Sequence, residues 1–219
     1  IATIYKSKVR TYILTVLFLV FTINGQSQIE ILRYYDNFSY HKSDSVAKKG
    51  FNRIKYIPLP GIGTVSLGGE LREQLQFYHN FNFGDMPPVT NEKGVWQFWH
   101  RAMAHGNIEV GRNVNFFAQL GSTFRFFNPY PAVPEIDENH LSLHQLFGEF
   151  RFNGKWKVRA GRQELSYGSH RLFTFREGPN TRLAFDAAVI KHSATNRKFD
   201  FFGMSPVISR KGVFDDESF

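Results

Sequence analysis

The sequence predicts an all-β protein, an antiparallel transmembrane β-barrel whose long strands follow one another as a meander. Three observations predict this fold class. Apolar and polar residues alternate along several segments, short and long connections alternate between those segments, and aromatic residues collect near segment ends. The composition agrees, because 16% of the 219 residues are aromatic although the mean hydropathy is negative. In a barrel wall only every second strand residue faces lipid, so the chain stays polar on average.

The N-terminal residues 1–27 are predicted to be a secretory signal peptide. Three basic residues precede an apolar run from Tyr12 to Ile23, which is shorter than the roughly 20 residues of a membrane-spanning helix. Small residues precede a predicted cleavage before Gln28. A membrane anchor or a buried helix is the alternative. Residues 28–60 lack a regular period and are predicted to be a periplasmic lead-in segment.

Residues 61–219 are predicted to form the N-terminal part of the barrel, with about seven strands. In the first of these, Leu67, Leu71 and Leu75 alternate with polar residues, and Glu73 is the exception on the apolar side. His100 interrupts the apolar set of the second strand in the same way. The predicted strands are 64–77, 96–110, 114–126, 144–152, 156–163, 183–189 and 198–204.

The connections between these strands alternate in length. Long polar connections at 78–95, 127–140 and 166–180 alternate with short ones, of which Asn153-Gly154 is a strong two-residue hairpin signal. Outer-membrane barrels show this sorting, with short periplasmic turns and long outer loops. The order places the N-terminus on the periplasmic side. A soluble sandwich with a Phe-rich core is the alternative.

If the apolar faces meet lipid, the polar faces line a lumen with an excess of basic residues. Rings of basic side chains select anions in pores, and the planar Arg side chain suits carboxylates. The alternative is that these charges pair across neighbouring strands and only fill the wall. The pore-lining and substrate-binding candidates are Arg72, Arg101, Arg125, Arg151, Arg159, Arg182, Glu70, Glu149 and Asp186.

One segment combines many charges within a strand and a loop. It reads GRQELSYGSHRL over residues 161–172 and is followed by REGPN at 176–180. Such a loop could fold into the mouth of a barrel and narrow it, and a solvated surface loop is the alternative. Arg162 and Glu164 fall on the lipid-facing parity, so a bulge or the membrane edge is expected nearby. The candidate residues of this motif loop are Arg162, Gln163, Tyr167, Arg171, Arg176 and Glu177.

Enzymatic and nucleic-acid functions find no support in the residues. The chain has no Cys, its His residues lack metal-ligand spacing, and it has no Gly-rich phosphate loop. Glu70 and Glu73 point to opposite faces of a strand, so they cannot share a substrate. Ser166 and Ser169 lie in no nucleophile elbow. We therefore expect no enzyme activity, no cofactor, no metal site and no nucleic-acid partner.

Four elements of the sequence resemble the alginate export family of outer-membrane proteins. They are VSLGGELRE at 65–73, the GRQELSYGSHRL segment, REGPN and the pair Phe185-Asp186, within a resemblance that spans roughly 53–219. The resemblance implies a monomeric 18-stranded barrel whose basic lumen passes an anionic polysaccharide outward, with lumenal Arg residues and a few acids forming the selectivity constriction. Because seven strands cannot close such a pore, we expect a fragment of a longer barrel; a small barrel or an oligomer sharing strands is the alternative.

These observations together predict an outer-membrane porin or exporter of a Gram-negative-type bacterium. It would pass an alginate-like polysaccharide or other small anionic solutes by passive diffusion and would contact outer-membrane lipid. A non-conducting barrel with a surface-binding or structural role is the alternative. A barrel enzyme acting on lipid or glycan is a third possibility, for which we find no nucleophile and base close together.

Overall fold

The computed structural model describes residues 30–42, 50–79, 94–127 and 136–218. The predicted signal peptide and much of the first two long connections lie outside these residues. The chain divides into two units, Ile1–Asn37 and Phe38–Phe219. The first unit contains a 3₁₀ helix at Arg33–Tyr35. The Glu30 amide, before this helix, donates a 2.8 Å hydrogen bond to Asp36 Oδ1, after it. Among the described residues, no helix is long and apolar enough to cross a membrane.

The second unit is a single antiparallel sheet, in which each strand pairs with the next along the chain. Two 3₁₀ helices, Ser39–Lys42 and Gly50–Ile54, precede it. The predicted all-β meander of long strands is therefore confirmed, with β1 and β9 as the edges of the described sheet. The strands are β1 (Ile57–Leu59), β2 (Gly63–Tyr78), β3 (Val95–Val110), β4 (Val114–Phe126), β5 (Asn139–Phe152), β6 (Trp156–Gln163), β7 (Phe185–Ala194), β8 (Arg197–Ile208) and β9 (Glu217–Ser218).

The two faces of this sheet differ in chemistry. We call the face that carries Glu70 and Arg72 of β2 the polar face, and the opposite one the apolar face. Leu71 and Leu75 on the apolar face are 67% and 63% exposed, which water would disfavour and lipid would not. This division is the one expected of a membrane barrel wall. Further large side chains exposed on the apolar face are Leu67, Phe77, Trp96, Ile108, Phe116, Leu120, Phe126, Leu146, Phe150 and Ile190.

The polar residues that interrupt the apolar alternation of β2 and β3 pair with each other. Glu73 of β2 lies directly opposite His100 of β3 in the sheet register. His100 Nδ1 lies 2.6 Å from Glu73 Oε1. Because an unpaired charge is costly beside lipid, each of these side chains offsets the cost of the other.

A bulge in β5 changes the phase of the alternation. Gln119 of β4 pairs with Gln145, whereas the next residue, Leu120, pairs with Leu143, so His144 is an extra residue. His144 and Gln145 are consecutive, and both are buried. The predicted strand begins at His144, whereas β5 begins at Asn139. The bulge inserts one residue and reverses the alternation of the residues before it, so the alternation pattern does not reveal them.

Candidate functional site

Residues 164–184, between β6 and β7, lie across the polar face, and we call them the crossing segment. Thr181 Oγ1 lies 3.0 Å from Thr123 Oγ1 of β4. Asn180 is buried, and its Nδ2 donates to the backbone carbonyl oxygens of His100 and Phe124, 3.3 and 3.0 Å away. The segment therefore reaches from β6 and β7 to β3 and β4, over the ends of the strands that carry the long connections.

Ion pairs extend these contacts to β2. Arg101 of β3 is fully buried and contacts Glu70 of β2 at 2.8 Å and Glu177 of the crossing segment at 2.6 Å. Arg72 of β2 donates to the backbone carbonyl oxygen of Glu177 at 2.7 Å. Arg101 and Arg72 each join a strand to Glu177, and Glu70 holds the Arg101 side chain in place. These residues therefore fasten the crossing segment to the sheet.

Arg182 completes this set from within the crossing segment. Its Nη2 donates to Glu164 Oε2 at 2.8 Å, and its Nε lies 2.8 Å from Glu164 Oε1 as an ion-pair contact. Its Nη1 lies 3.4 Å from Glu177 and 3.8 Å from Glu70. We call the resulting set of three Arg and three Glu side chains the latch. Its members are Arg72, Arg101, Arg182, Glu70, Glu164 and Glu177.

The crossing segment also packs against β7 through a hydrophobic cluster. Leu165 is buried against Phe185 and Val189 of β7, and Tyr167 and Phe173 pack against this cluster. The Tyr167 hydroxyl also donates to Asp200 Oδ2 of β8, 2.7 Å away. Burial and this hydrogen bond raise the pKa of the Tyr167 phenol. The segment is thus held both by apolar packing against β7 and by the latch.

This cluster corrects the faces predicted for β7. Asp186 was expected on the polar face, and the apolar residues of β7 on the lipid side. In the register, Val189 lies opposite Arg159 and shares the polar face with it, whereas Asp186 lies opposite Arg162 on the apolar face. The physical reason is that the crossing segment covers β7 and supplies an apolar contact there. Asp186 is therefore not a polar-face residue.

The motif loop divides between the two faces. Arg162 remains on the apolar face and pairs with Asp186 through contacts of 2.9 and 3.1 Å. Glu164 follows the end of β6, is 1% exposed and lies 2.7 Å from His144 Nε2 on the polar side. The φ of Gly161 is +125°, but the register of β6 with β5 and β7 runs through it without a shift, so the expected bulge is not found there. Gln163 Nε2 donates to the Ala187 carbonyl oxygen at 3.1 Å.

The remaining predicted arginines also lie on the polar face. Arg125 pairs with Asp137 at 3.1 Å, and both side chains are nearly buried. The motif residues Arg171 and Arg176 are exposed on the crossing segment. Each of the six predicted arginines is thus in an ion pair, which agrees with the alternative that such charges pair within the wall.

A second charged group lies near the Asn153-Gly154 turn, at the other end of the polar face. Glu149 of β5 is contacted by Arg159 at 2.6 Å, Arg151 at 2.8 Å and Lys157 at 3.4 Å. We call these four residues the basic cluster. Three cations surround one carboxylate, so the group is net positive. The Arg151 side chain is 46% exposed and that of Lys157 30%, which leaves donors open to solutes.

Sequence reasoning missed three residues of the site. Glu164 was predicted on the apolar face from the alternation of β6, but β6 ends at Gln163, and the alternation does not extend beyond the end of a strand. Asn180 lies in a loop and His144 at a bulge, and neither position has a sequence pattern that would have predicted its role.

Among the described residues, no group of three or more His, Asp or Glu side chains is placed to hold a metal ion.

Comparison with known proteins gives one match. No curated protein and no solved structure matches the sequence. The Alginate export family matches residues 64–218, which is well over half of the chain and includes the latch, the crossing segment and the basic cluster. The predicted resemblance is thereby confirmed, and the chain belongs to the alginate export family of outer-membrane proteins.

Proposed function

We propose that this protein passes an anionic polysaccharide, or smaller anionic solutes, through a basic lumen by passive diffusion. Membership of the alginate export family indicates outer-membrane polysaccharide export in a Gram-negative bacterium, which is a transport and not an enzymatic function. The polar face supplies the lumen wall in this proposal, and the apolar face contacts outer-membrane lipid. The barrel acts as a monomer, binds no nucleic acid and is exported by the signal peptide at 1–27.

The basic cluster is the observation that carries the proposal. Arg151 and Lys157 keep exposed donors while Glu149 holds them beside Arg159. A single buried carboxylate reduces the repulsion among three cations and leaves a net positive surface. Guanidinium and ammonium groups arranged in this way attract the carboxylates of a uronate polymer without requiring one fixed pose.

The crossing segment supplies the narrowing in this proposal. It spans the polar face between the hydrophobic cluster on β7 and the latch on β2 and β3. Three Arg and three Glu side chains compensate one another there. A solute moving outward would meet the net positive basic cluster first and the charge-compensated latch second.

Conductance in planar lipid bilayers tests the proposed function. We expect the full-length protein to form anion-selective channels whose current is blocked transiently by uronate oligomers. Neutral oligosaccharides of the same length serve as the matched control and should block less. Cation-selective channels, or channels indifferent to uronate oligomers, would overturn the proposal. Insertion without any conductance would favour a barrel with a surface-binding or structural role.

Arg151→Glu is expected to reduce the anion-to-cation permeability ratio about threefold, because it places a second carboxylate beside Glu149 and removes an exposed cation. Reversal potentials in a salt gradient measure this ratio. Lys155→Glu is the matched control, because this substitution makes the same charge change at an exposed position in the adjacent turn. Equal effects of the two substitutions would contradict a specific role for the basic cluster.

A further inference from the structure

The residues just before β1 turn away from the sheet edge and lie over the polar face. β1 pairs with β2 along that edge, with Ile57 opposite Val65. Tyr56, immediately before it, has a φ of +52°, which redirects the chain. Its backbone amide donates to Ser66 Oγ at 3.1 Å, and Ser66 is buried on the polar face. This hydrogen bond fixes the end of the lead-in segment to that face.

Lys55 lies directly over β2 on the polar side. A Cβ atom at Gly68 would lie 2.7 Å from Lys55 Nζ and closer still to the His105 ring. Gly68 belongs to the same parity as Ser66 and Glu70, so Lys55 and His105 fill the space that its missing side chain leaves. Lys55 Nζ also lies 4.3 Å from the centre of the Phe38 ring. The Lys55 side chain is therefore positioned by contacts on two sides.

A row of rings joins this position to the basic cluster. The His105 and Phe117 rings stack at 5.5 Å, and those of Phe117 and Phe147 at 5.3 Å. The Arg159 guanidinium lies 4.6 Å from the centre of the Phe147 ring. The row crosses the polar face from β3 to β6. It places Lys55 and Arg159 at its opposite ends, within the same half of the sheet.

We propose that residues 50–56 form part of the lumen wall at the short-turn end, and that Lys55 is a further specificity-determining residue for uronate-type polyanions. This inference rests on the proposed function. Lys55, which lies over β2, would extend the positive charge of the basic cluster along the same half of the lumen wall. Residues 50–56 then belong to the wall of the pore.

The 219 residues contain no Cys, and replacing any Cys elsewhere in the full-length protein by Ser makes a charge-replacement experiment direct. Lys55→Cys should lower the anion-to-cation permeability ratio roughly twofold in planar bilayers. Reaction with a cationic aminoethyl thiosulfonate should restore the ratio, and reaction with an anionic sulfonatoethyl reagent should lower it further. Lys155→Cys is the control, and neither reagent should change its selectivity. Heat-modifiable mobility on gels checks folding, and Lys55→Arg should keep the native ratio.

The outcomes separate this inference from the proposed function. An anion-selective pore that responds to Arg151→Glu but not to any modification at Lys55 would overturn the role of Lys55 and leave the proposed function standing. A native pore that is cation-selective or does not conduct would overturn both. Restoration of selectivity by the cationic reagent alone would support the inference, since a merely structural role for Lys55 would not depend on the sign of the added charge.

Discussion

Glu164→Gln is expected to lower the free energy of unfolding by about 3–5 kcal/mol, the usual cost of breaking a buried ion pair from one side. Glu164 is 1% exposed, accepts a hydrogen bond from Arg182 Nη2 at 2.8 Å, and lies 2.8 Å from Arg182 Nε and 2.7 Å from His144 Nε2. The neutral amide leaves the Arg182 guanidinium buried without its main counter-charge. Urea titration of the protein folded in lipid vesicles, followed by tryptophan fluorescence, measures the change.

Two further variants show whether burial is the cause. Glu217→Gln breaks the exposed pair of Arg210 and Glu217, whose side chains are 50% and 59% exposed, and should cost less than about 1 kcal/mol. Combining Glu164→Leu with Arg182→Met removes both buried charges and should recover much of the lost stability. If Glu164→Gln costs no more than Glu217→Gln, the latch does not stabilise the fold.

Gly161→Ala is expected to cost about 3 kcal/mol or more, or to prevent folding, because both its backbone angle and its surroundings exclude a side chain. The φ of Gly161 is +125°. An added Cβ would collide with the Leu146 carbonyl oxygen and lie 2.8 Å from Phe147 Cα. Backbone atoms of the neighbouring strand cannot rotate away as side chains can. The fraction of heat-modifiable, folded protein after refolding measures the effect.

Gly203→Ala is the matched control for this substitution. Gly203 lies in β8, has no positive φ, and an added Cβ would meet no atom within 4 Å. Its replacement should change stability by less than about 0.5 kcal/mol. Similar folding yields for the two variants would contradict the account of Gly161. The contrast also explains why the GRQ motif begins with a glycine: the positive φ and the close approach of the β5 backbone leave no room for a side chain.

Alternation alone predicted most of the sheet. Seven strands from β2 to β8 follow from period two, and the two short edge strands, β1 and β9, are too brief to show a period. The faces of β2 to β6 also follow from parity. Arg72 and Arg101, for example, lie opposite each other on the polar face as predicted.

Parity failed where something other than lipid covers an apolar residue. Val189 of β7 has the same hydrophobicity whether it meets lipid or Leu165, so the sequence cannot distinguish the two coverings. The bulge at His144 and the hydrogen bonds of Asn180 depend on tertiary contacts that have no local signature. The crossing of residues 164–184 could be suggested from their charge, but their partners could not.

The Glu73–His100 pair has a consequence for where the bilayer ends. β2 has 16 residues, whereas a tilted strand needs only about 9–11 to cross the hydrocarbon layer. Polar side chains on the apolar face belong near the headgroups, so we expect the Glu73–His100 pair to lie at the headgroup level. Leu75 and Phe77, which are exposed beyond it, then belong to the interfacial belt of the membrane. Arg72 lies one residue from this boundary, so the latch is expected at the level of the headgroups, and sequence changes in the crossing segment would leave the lipid-embedded wall unaltered.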